Sequence, residues 1–290
     1  MLNQPRRAPL DLLVVGGMTV DRLPDGSATA GGSVVHGGGA AARMGDRVGA
    51  VTVAGPEPEV EPALRGLRGL LDRVEVQRVQ RSIGFEHRVD GERRVLRFLG
   101  SAGILIRLDG APAARAILYA PVAGEIGATG LARASGKALC AAILQGWLRR
   151  LVPGELVSGL ALAELDPGLV AALARMDLVV ASREDLLADA DRPDKQLDAL
   201  RSALGRRPVL VLTDATAGAW CDRTGSGASE RWQVPVARVV EGVPVVGAGD
   251  MFAASLALRW PRGGAATRDG ITRAARDAME TVARELERRR

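Results

Sequence analysis

The chain has 290 residues, of which 47% are hydrophobic and 25% charged, so it can bury a large core and is not disordered throughout. The formal charge of +5 comes largely from arginine, but the arginines are dispersed and aromatic residues make up only 3%, which argues against a nucleic-acid surface. The two cysteines, Cys140 and Cys221, lie far apart and predict neither a disulfide framework nor a zinc site. No uncharged run reaches membrane-spanning length, and we expect a cytoplasmic protein without a membrane partner.

The first predicted element is a buried strand near the N-terminus. Residues 12–15 form a short apolar run that ends at Gly16-Gly17, which is typical of a central strand in a parallel sheet. Asp21 follows on the carboxyl side of this strand, where open α/β sheets bind their ligands. The alternative is that Asp21 belongs only to the turn predicted at residues 24–26.

A glycine-rich segment follows, from residue 31 to residue 45, and leads into a helix of small residues. Gly37, Gly39 and Ala42 have the spacing of a dinucleotide fingerprint, so a Rossmann-type NAD(P) oxidoreductase is one alternative. That fingerprint normally follows a strand directly, whereas here a second glycine pair precedes it and the flanking residues are polar. The context therefore argues against a Rossmann enzyme, and nicotinamide binding would test it.

Residues 74–99 alternate between apolar and polar side chains, which predicts antiparallel strands with one solvated face. Asp90-Gly91 between the last two runs is a strong signal for a two-residue hairpin turn. We expect these strands to form a small sheet that stands off the main core. A plain surface hairpin is the alternative.

The rest of the chain alternates apolar strands with helical patterns, which predicts a mostly parallel sheet between helices. The predicted strands are residues 116–120, 138–143, 178–181 and 208–212. Ser182, with Asp185 three residues later, has the spacing of a capping box that opens a helix. The last 30 residues have an apolar stripe at helical spacing and predict one long helix.

The motif with the clearest chemistry is Gly247-Ala248-Gly249-Asp250, at the junction between an apolar run and a helix-like stretch. Small residues let a ligand approach the backbone, and the free amides and dipole at a helix N-terminus favour an anion. A carboxylate beside those amides can accept a proton from a hydroxyl. The alternative is an ordinary glycine-rich turn in which Asp250 caps the helix.

Together with Met251-Phe252-Ala253-Ala254, this motif resembles the C-terminal signature of the PfkB, or ribokinase-like, carbohydrate kinases. The resemblance extends from about residue 12 to residue 258. It implies a three-layer α/β/α sandwich with a mostly parallel central sheet and a small β-sheet lid. It also implies that Asp250 is the catalytic base and that Gly247, Ala248 and Gly249 form the anion hole for the transferred phosphate.

Further site residues are implied by the same resemblance, at positions that match family motifs. In the family these motifs bind the substrate, the ATP and, through water, the magnesium ion that accompanies ATP. The matching positions are Asp21, Gly31, Gly32 and His36 for the substrate, and Ser182, Asp185, Thr213 and Gly218 for the nucleotide. Asp185 is expected to reach Mg²⁺ only through water, and no residue is expected to bind it directly.

The family lid covers the sugar and often mediates dimer contacts. The resemblance therefore implies lid segments near residues 20–34 and 74–101, within one kinase domain that spans residues 1–290. A homodimer through the lid is one outcome that this leaves open. The segments 122–126 and 144–150 resemble the branch of the family that includes inositol kinases.

Departures from the family pattern define a second alternative. Pro244, Val245 and Val246 stand where the family has Asp and Thr, which help to order the anion hole and a nearby monovalent cation. Ala215 replaces the first glycine of the nucleotide loop, and Ser182 replaces Asn. The resemblance implies an ATP-dependent kinase of a small sugar or polyol. A catalytically impaired relative that binds sugar or nucleotide for regulation is the alternative.

Overall fold

The computed structural model describes residues 8–90, 93–132, 138–187, 192–225, 228–261 and 266–290. The strands are β1 Leu10–Val15, β2 Thr19–Arg22, β3 Ala28–Gly31, β4 Val48–Ala54, β5 Arg73–Arg78, β6 Ile83–Asp90, β7 Arg93–Gly100, β8 Ala114–Tyr119, β9 Leu139–Ile143, β10 Arg149–Arg150, β11 Ser158–Gly159, β12 Leu178–Ser182, β13 Val209–Thr213, β14 Ala219–Thr224 and β15 Ser229–Val234. The helices are α1 Gly39–Ala42, α2 Val60–Leu70, α3 Ala128–Ala132, α4 Pro167–Leu173, α5 Pro193–Leu204, α6 Ala248–Leu258 and α7 Arg268–Glu287.

The main sheet has, in the described part of the chain, the order β15-β14-β13-β12-β9-β8-β1-β4-β5. The strands from β13 to β5 are parallel, and β14 and β15 add an antiparallel edge. The strands predicted from the sequence lie in β1, β8, β9, β12 and β13, so the prediction of a mostly parallel sheet is confirmed. Since parallel strands end at one edge, the loops after them lie on the same side of the molecule.

Helices cover both faces of this sheet and make the three layers. Leu12 and Val14 of β1 face a core formed with α2, α6 and α7, whereas Leu13 and Val15 face a core formed with α4 and α5. This alternation along one strand is why the run reads as continuously apolar in the sequence. None of the helices in the described ranges is long and apolar enough to cross a membrane.

A second, smaller sheet has the order β3-β2-β6-β7. β2 pairs in parallel with β6, and the two outer pairs are antiparallel. Its own apolar cluster contains Ile83, Phe85 and Phe98, and the two phenylalanine rings lie 5.6 Å apart. The small sheet that was predicted beside the main core is therefore present. Gly91, the second residue of the predicted turn, lies outside the described residues.

The assignment of residues 74–78 to the small sheet is wrong. β5 pairs in parallel with β4 over Gly49–Ala54 and forms the edge of the main sheet. Its half-polar pattern has a different cause from the one inferred, because β5 lies at the sheet edge, where its four central residues are all only partly covered. The predicted lid segment ends at residue 101, just after β7, and residues 101–113 form no strand.

Candidate active site

The predicted anion-hole motif forms the start of α6, with Gly247 as its N-cap. Gly247 adopts a φ of +78°, which glycine takes without strain, and a Cβ at this position would collide with the imidazole ring of His36. The first bond inside the helix runs from the amide of Met251 to the carbonyl of Gly247. The amides of Gly249 and Asp250 therefore belong to the first turn, which has no acceptor within the helix.

The amide of Ala248, unlike those of Gly249 and Asp250, already has an acceptor in the preceding turn. It donates to the carbonyl of Val245 over 3.0 Å and closes the turn that leads into α6. Gly249 is exposed and Gly247 is partly exposed, so the backbone at both positions is accessible from the solvent side. The positive end of the α6 dipole points in the same direction, which makes this turn suited to an anion.

Asp250 lies in the first turn of α6 and is partly exposed. Its Oδ1 accepts a hydrogen bond of 2.6 Å from the hydroxyl of Ser33, a buried residue that precedes the π-helical turn Val34–Gly38. Burial raises the pKa of Asp250, and this effect exceeds the opposing effects of His36, Ser33 and Arg149. A carboxylate with a raised pKa accepts a proton more readily than an ordinary aspartate does.

The glycine-rich segment brings Ser33 and His36 against α6. A Cβ at Gly37 would lie 2.8 Å from the backbone carbonyl of Asp250, so only glycine permits this close approach. Burial lowers the pKa of His36, although the nearby Asp250 opposes this effect. In this structure Gly37 therefore allows α6 to approach, rather than the dinucleotide of the Rossmann alternative.

Asp21 lies across from Asp250 at the end of β2, and its side chain is buried. Its Oδ2 accepts a hydrogen bond of 3.1 Å from Thr19, and its Oδ1 lies 3.7 Å from Nε2 of His87 on β6. A methyl group at Gly31 would lie 2.5 Å from Oδ2 of Asp21 and 3.4 Å from Nε2 of His36. The predicted substrate residues Asp21, Gly31 and His36 are thus adjacent.

Arg149 on β10 is a positive charge at this site that the sequence did not reveal as functional. Its guanidinium interacts electrostatically with Asp185, Asp250 and Asp21, lies over the ring of Phe85 at 5.6 Å and donates to a backbone carbonyl. Burial lowers its pKa, but a guanidinium remains protonated in proteins. The only sequence signal was the branch-level resemblance of residues 144–150.

Asp185 lies beyond the carboxyl end of β12, beside Arg149. Its Oδ1 accepts from Nε2 of Gln145 over 3.4 Å, and burial raises the pKa of this carboxyl, an effect that Arg149 opposes. The hydroxyl of Ser182 accepts from the amide of Glu184, so Ser182 caps the turn, but the reciprocal pair of bonds between Ser182 and Asp185 that defines the predicted capping box is not formed. The capped segment is a single 3₁₀ turn rather than the helix expected there, and α5 begins only at Pro193.

Thr213 lies next to Ser182, because β12 and β13 are paired in register. The loop after β13 is a 3₁₀ turn over Ala215–Ala217 that ends at Gly218, with a φ of +103°. Ala215 has a φ of +41°, the one positive φ among non-glycine residues in the described ranges. The strain expected at this alanine is therefore present. Asp214 in the same loop pairs with Arg183 over 2.7 Å.

No cluster of three or more His, Cys, Asp or Glu side chains that could hold a metal ion occurs among the described residues. Asp185 is the one predicted metal-related residue, and as a single carboxylate it fits contact through water rather than direct coordination. This arrangement suits Mg²⁺, which dehydrates reluctantly and reaches many sites with its waters in place.

Comparison with known proteins gives the fold. No protein-family model matches the sequence, and no curated protein matches it. A pyrophosphate-dependent kinase in the ribokinase family, solved with sulfate, is 17% identical with a TM-score of 0.73, and 95% of each chain is covered. A nucleoside kinase of Methanocaldococcus jannaschii is 12% identical, with a TM-score of 0.70 and coverage of 96% and 92%. Fructokinase from Vibrio cholerae O395 is 19% identical, with a TM-score of 0.66 and coverage of 96% and 98%.

Proposed function

We propose that this chain, which has the ribokinase fold, is a kinase that transfers a phosphoryl group to a hydroxyl of a small sugar or polyol. The observation that carries the proposal is the meeting of Asp250, at the N-terminus of α6, with Asp21, His36 and Arg149. Phosphoryl transfer depends mainly on positioning and charge neutralisation, together with a base for the attacking hydroxyl. Each of these requirements has a candidate in this group.

Asp250 accepts the proton of the attacking hydroxyl. As the hydroxyl oxygen forms its bond to phosphorus, the bond from phosphorus to the leaving phosphate oxygen breaks and the proton passes to Asp250. The hydrogen bond from Ser33 holds the carboxylate in one orientation. The raised pKa of Asp250 brings it closer to the pH at which a base is most effective.

The transferring phosphoryl group is held from two sides. Backbone amides at Gly247 and Gly249 and the dipole of α6 stabilise its oxygens from one side. Arg149 neutralises negative charge from the other, because it is the cation among Asp250, Asp185 and Asp21. Mg²⁺ bound to the donor would neutralise further charge on the phosphate oxygens, with Asp185 holding its waters.

Asp21 and His36 bind the remaining hydroxyls of the acceptor. A carboxylate accepts two or more hydroxyl hydrogen bonds, and polyols offer several donors close together. The small sheet supplies Asp21 and His87 from β2 and β6, so substrate binding and sheet position are coupled. A sheet that closes over the acceptor excludes water, which would otherwise compete for the phosphoryl group. An inositol-like acceptor fits this set of groups.

ATP is the donor that we propose, with Thr213 and Gly218 beside the nucleotide. Pyrophosphate is a second candidate, supported by two observations. The loop with Ala215 departs from the nucleotide motif and adopts a strained φ. A structure similar to this chain, 18% identical with a TM-score of 0.72 over 95% of each chain, is a pyrophosphate-dependent ribokinase-family kinase with a pyrophosphate analogue and myo-inositol.

The test is an assay of phosphorylated product with a panel of sugars and inositols, with either Mg-ATP or magnesium pyrophosphate as donor. We expect turnover with one donor and at least one polyol, and none with Asp250→Asn. Binding of a polyol and donor without turnover in the wild type would favour the regulatory alternative. Activity with neither donor and no polyol binding would contradict the proposal.

A further inference from the structure

The segment that leads into α6 is held in place by an arginine of the C-terminal helix region. Residues 235–246 contain no strand or helix, so few backbone bonds fix them. Nη1 of Arg289 donates to the carbonyl of Pro244 and to the carbonyl of Val246, each over 2.8 Å. One guanidinium nitrogen therefore bridges two carbonyl oxygens directly before Gly247.

The charge of Arg289 also lies close to the candidate active site. It contributes to lowering the pKa of His36, whose ring packs against Gly247, and its Nη2 reaches Sδ of Met251 at 4.0 Å. Glu285 balances part of this charge and is itself paired with Arg43 over 2.6 Å. The end of α7 is thus connected to the segment after α1 as well as to the start of α6.

The residues at this place do not fit the monovalent cation that the fold family implies. Such an ion needs oxygen ligands, and Pro244, Val245 and Val246 supply no side-chain oxygen where the family has Asp and Thr. Three backbone carbonyls remain; those of Pro244 and Val246 are bonded to Arg289, and that of Val245 accepts from the amide of Ala248. An ion that used them would have to displace a positive charge or lie beside it, and like charges repel.

We propose that Arg289 is a positioning residue that replaces a monovalent cation, so that the anion-hole turn of this chain is ordered without potassium. The proposal rests on the proposed function for its kinetic consequence, but the ordering of residues 243–250 can be measured without turnover. Arg289 does not touch the substrate in this role. It fixes the carbonyls of Pro244 and Val246, and through them the direction of the Gly247 and Gly249 amides.

The structural test is hydrogen–deuterium exchange in peptides that cover residues 243–251, in the wild type, Arg289→Ala and Arg288→Ala. Arg288 is the matched control, because it is adjacent, exposed and paired only with Glu285 among the contacts described. We expect faster exchange in Arg289→Ala alone, with an unchanged melting temperature, and no effect of exchanging potassium for tetramethylammonium on the wild type. Exchange in Arg289→Ala equal to the wild type, or protection of these peptides by potassium in the wild type, would overturn the proposal.

The kinetic test uses the donor and polyol identified by the product assay. Arg289→Ala should lower kcat by about 10- to 100-fold, less than the loss on removing an anion-hole donor itself, with little change in the KM for the polyol. Arg289→Lys should retain more activity, and added guanidinium should restore part of the loss in Arg289→Ala. A wild type that requires potassium would overturn the proposal. If the wild type has no kinase activity, the proposed function fails, and the exchange result still decides the role of Arg289.

Discussion

Ser33 donates a hydrogen bond of 2.6 Å to Asp250, and this bond joins the glycine-rich N-terminal segment to the first turn of α6. Ser33 is buried, whereas Asp250 is partly exposed, so a buried hydroxyl holds the carboxylate of a residue that solvent still reaches. This relationship makes the role of Asp250 testable in two ways, by its charge and by its hydrogen bond.

Replacing Asp250 with Asn preserves the shape and the capacity to accept the Ser33 hydrogen bond, but it removes the base. We expect kcat to fall by about 10²–10⁴-fold, with a much smaller change in donor affinity. Steady-state kinetics and donor titration of both proteins measure the two effects. A loss below tenfold in an active enzyme would remove Asp250 from the base role.

The same substitution should change stability in a pH-dependent way. Burial raises the pKa of Asp250 above its ordinary value of 3.8, so the folded state holds this proton more tightly than the unfolded state. The ionised carboxylate therefore costs stability as pH rises from about 3.8 through the folded-state pKa. Asp250→Asn should melt at a higher temperature than the wild type at neutral pH, with a difference that shrinks at acid pH. Thermal melts across this range would measure it, and a lower melting temperature at neutral pH would contradict it.

The acid limb of the pH dependence of kcat/KM should depend on the hydrogen bond from Ser33 to Asp250. Asp250 must be ionised to act as a base, so kcat/KM should rise with pH through its raised pKa. The Ser33 hydrogen bond lowers this pKa, and Ser33→Ala should therefore move the acid limb to higher pH. Ser27→Ala is a suitable control, because the hydroxyl of Ser27 donates to Asp25 in an exposed turn. If the acid limb of kcat/KM does not move in Ser33→Ala, that limb reports the titration of a group other than Asp250.

The role of the Arg149 charge can be tested with the adjacent Arg150 as the control. Arg149→Met keeps much of the volume but removes the charge between Asp250 and Asp185, so we expect kcat/KM for the donor to fall by about 10²–10³-fold. Arg150→Met is the control, since Arg150 is exposed and pairs with Glu164 at the surface. Equal activity of the two variants would show that Arg149 has only a structural role.

The buried carboxylate of Asp222 affects the stability of the fold and is not part of the candidate active site. Asp222 on β14 is fully buried and receives hydrogen bonds from Arg201, Arg231 and Ser229. Burial alone would raise its pKa, but these bonds lower it overall, so its contribution to stability is present above pH 3.8 and is lost as pH falls below that value. Asp222→Ala leaves Arg201 without its carboxylate partner, although Arg231 keeps Asp198, and should cost about 3–5 kcal/mol of unfolding free energy. Urea unfolding measures this loss, with the exposed Asp194→Ala as control.

The sequence predicted the elements whose signal is local. The apolar runs in β1, β12 and β13 are buried on both faces, so their composition alone indicates a central parallel strand. The turn at Gly247 was equally accessible, because glycines directly before a helix-like stretch indicate a helix N-terminus. β5 was assigned to the wrong sheet because alternating polarity indicates a half-exposed strand and does not identify its partner.

The candidate site was less predictable where it depends on distant pairs. Ser33 contributes through a hydrogen bond to Asp250 and Arg149 through its charge, and no short motif records either relationship. Arg289 is similar, because a terminal arginine cluster is usually a solvated helix end and only the structure connects it to Pro244. Residue type and spacing identify the side chains that can act as a base or bind phosphate and hydroxyl groups. The packing of α6 and α7 determines which of them meet.

The contact between Gly247 and His36 has a consequence for how this protein can change. The imidazole ring of His36 occupies the space where a Cβ at residue 247 would lie. The residues allowed at the two positions therefore depend on each other. A larger residue at 247 needs a smaller residue at position 36 and must also tolerate the φ of +78°, as asparagine does, and replacing His36 removes a candidate hydroxyl-binding group. Substitutions of His36 that change which acceptors bind therefore also change which residues are tolerated at position 247. Libraries that vary the two positions together should yield active variants that single-site libraries miss.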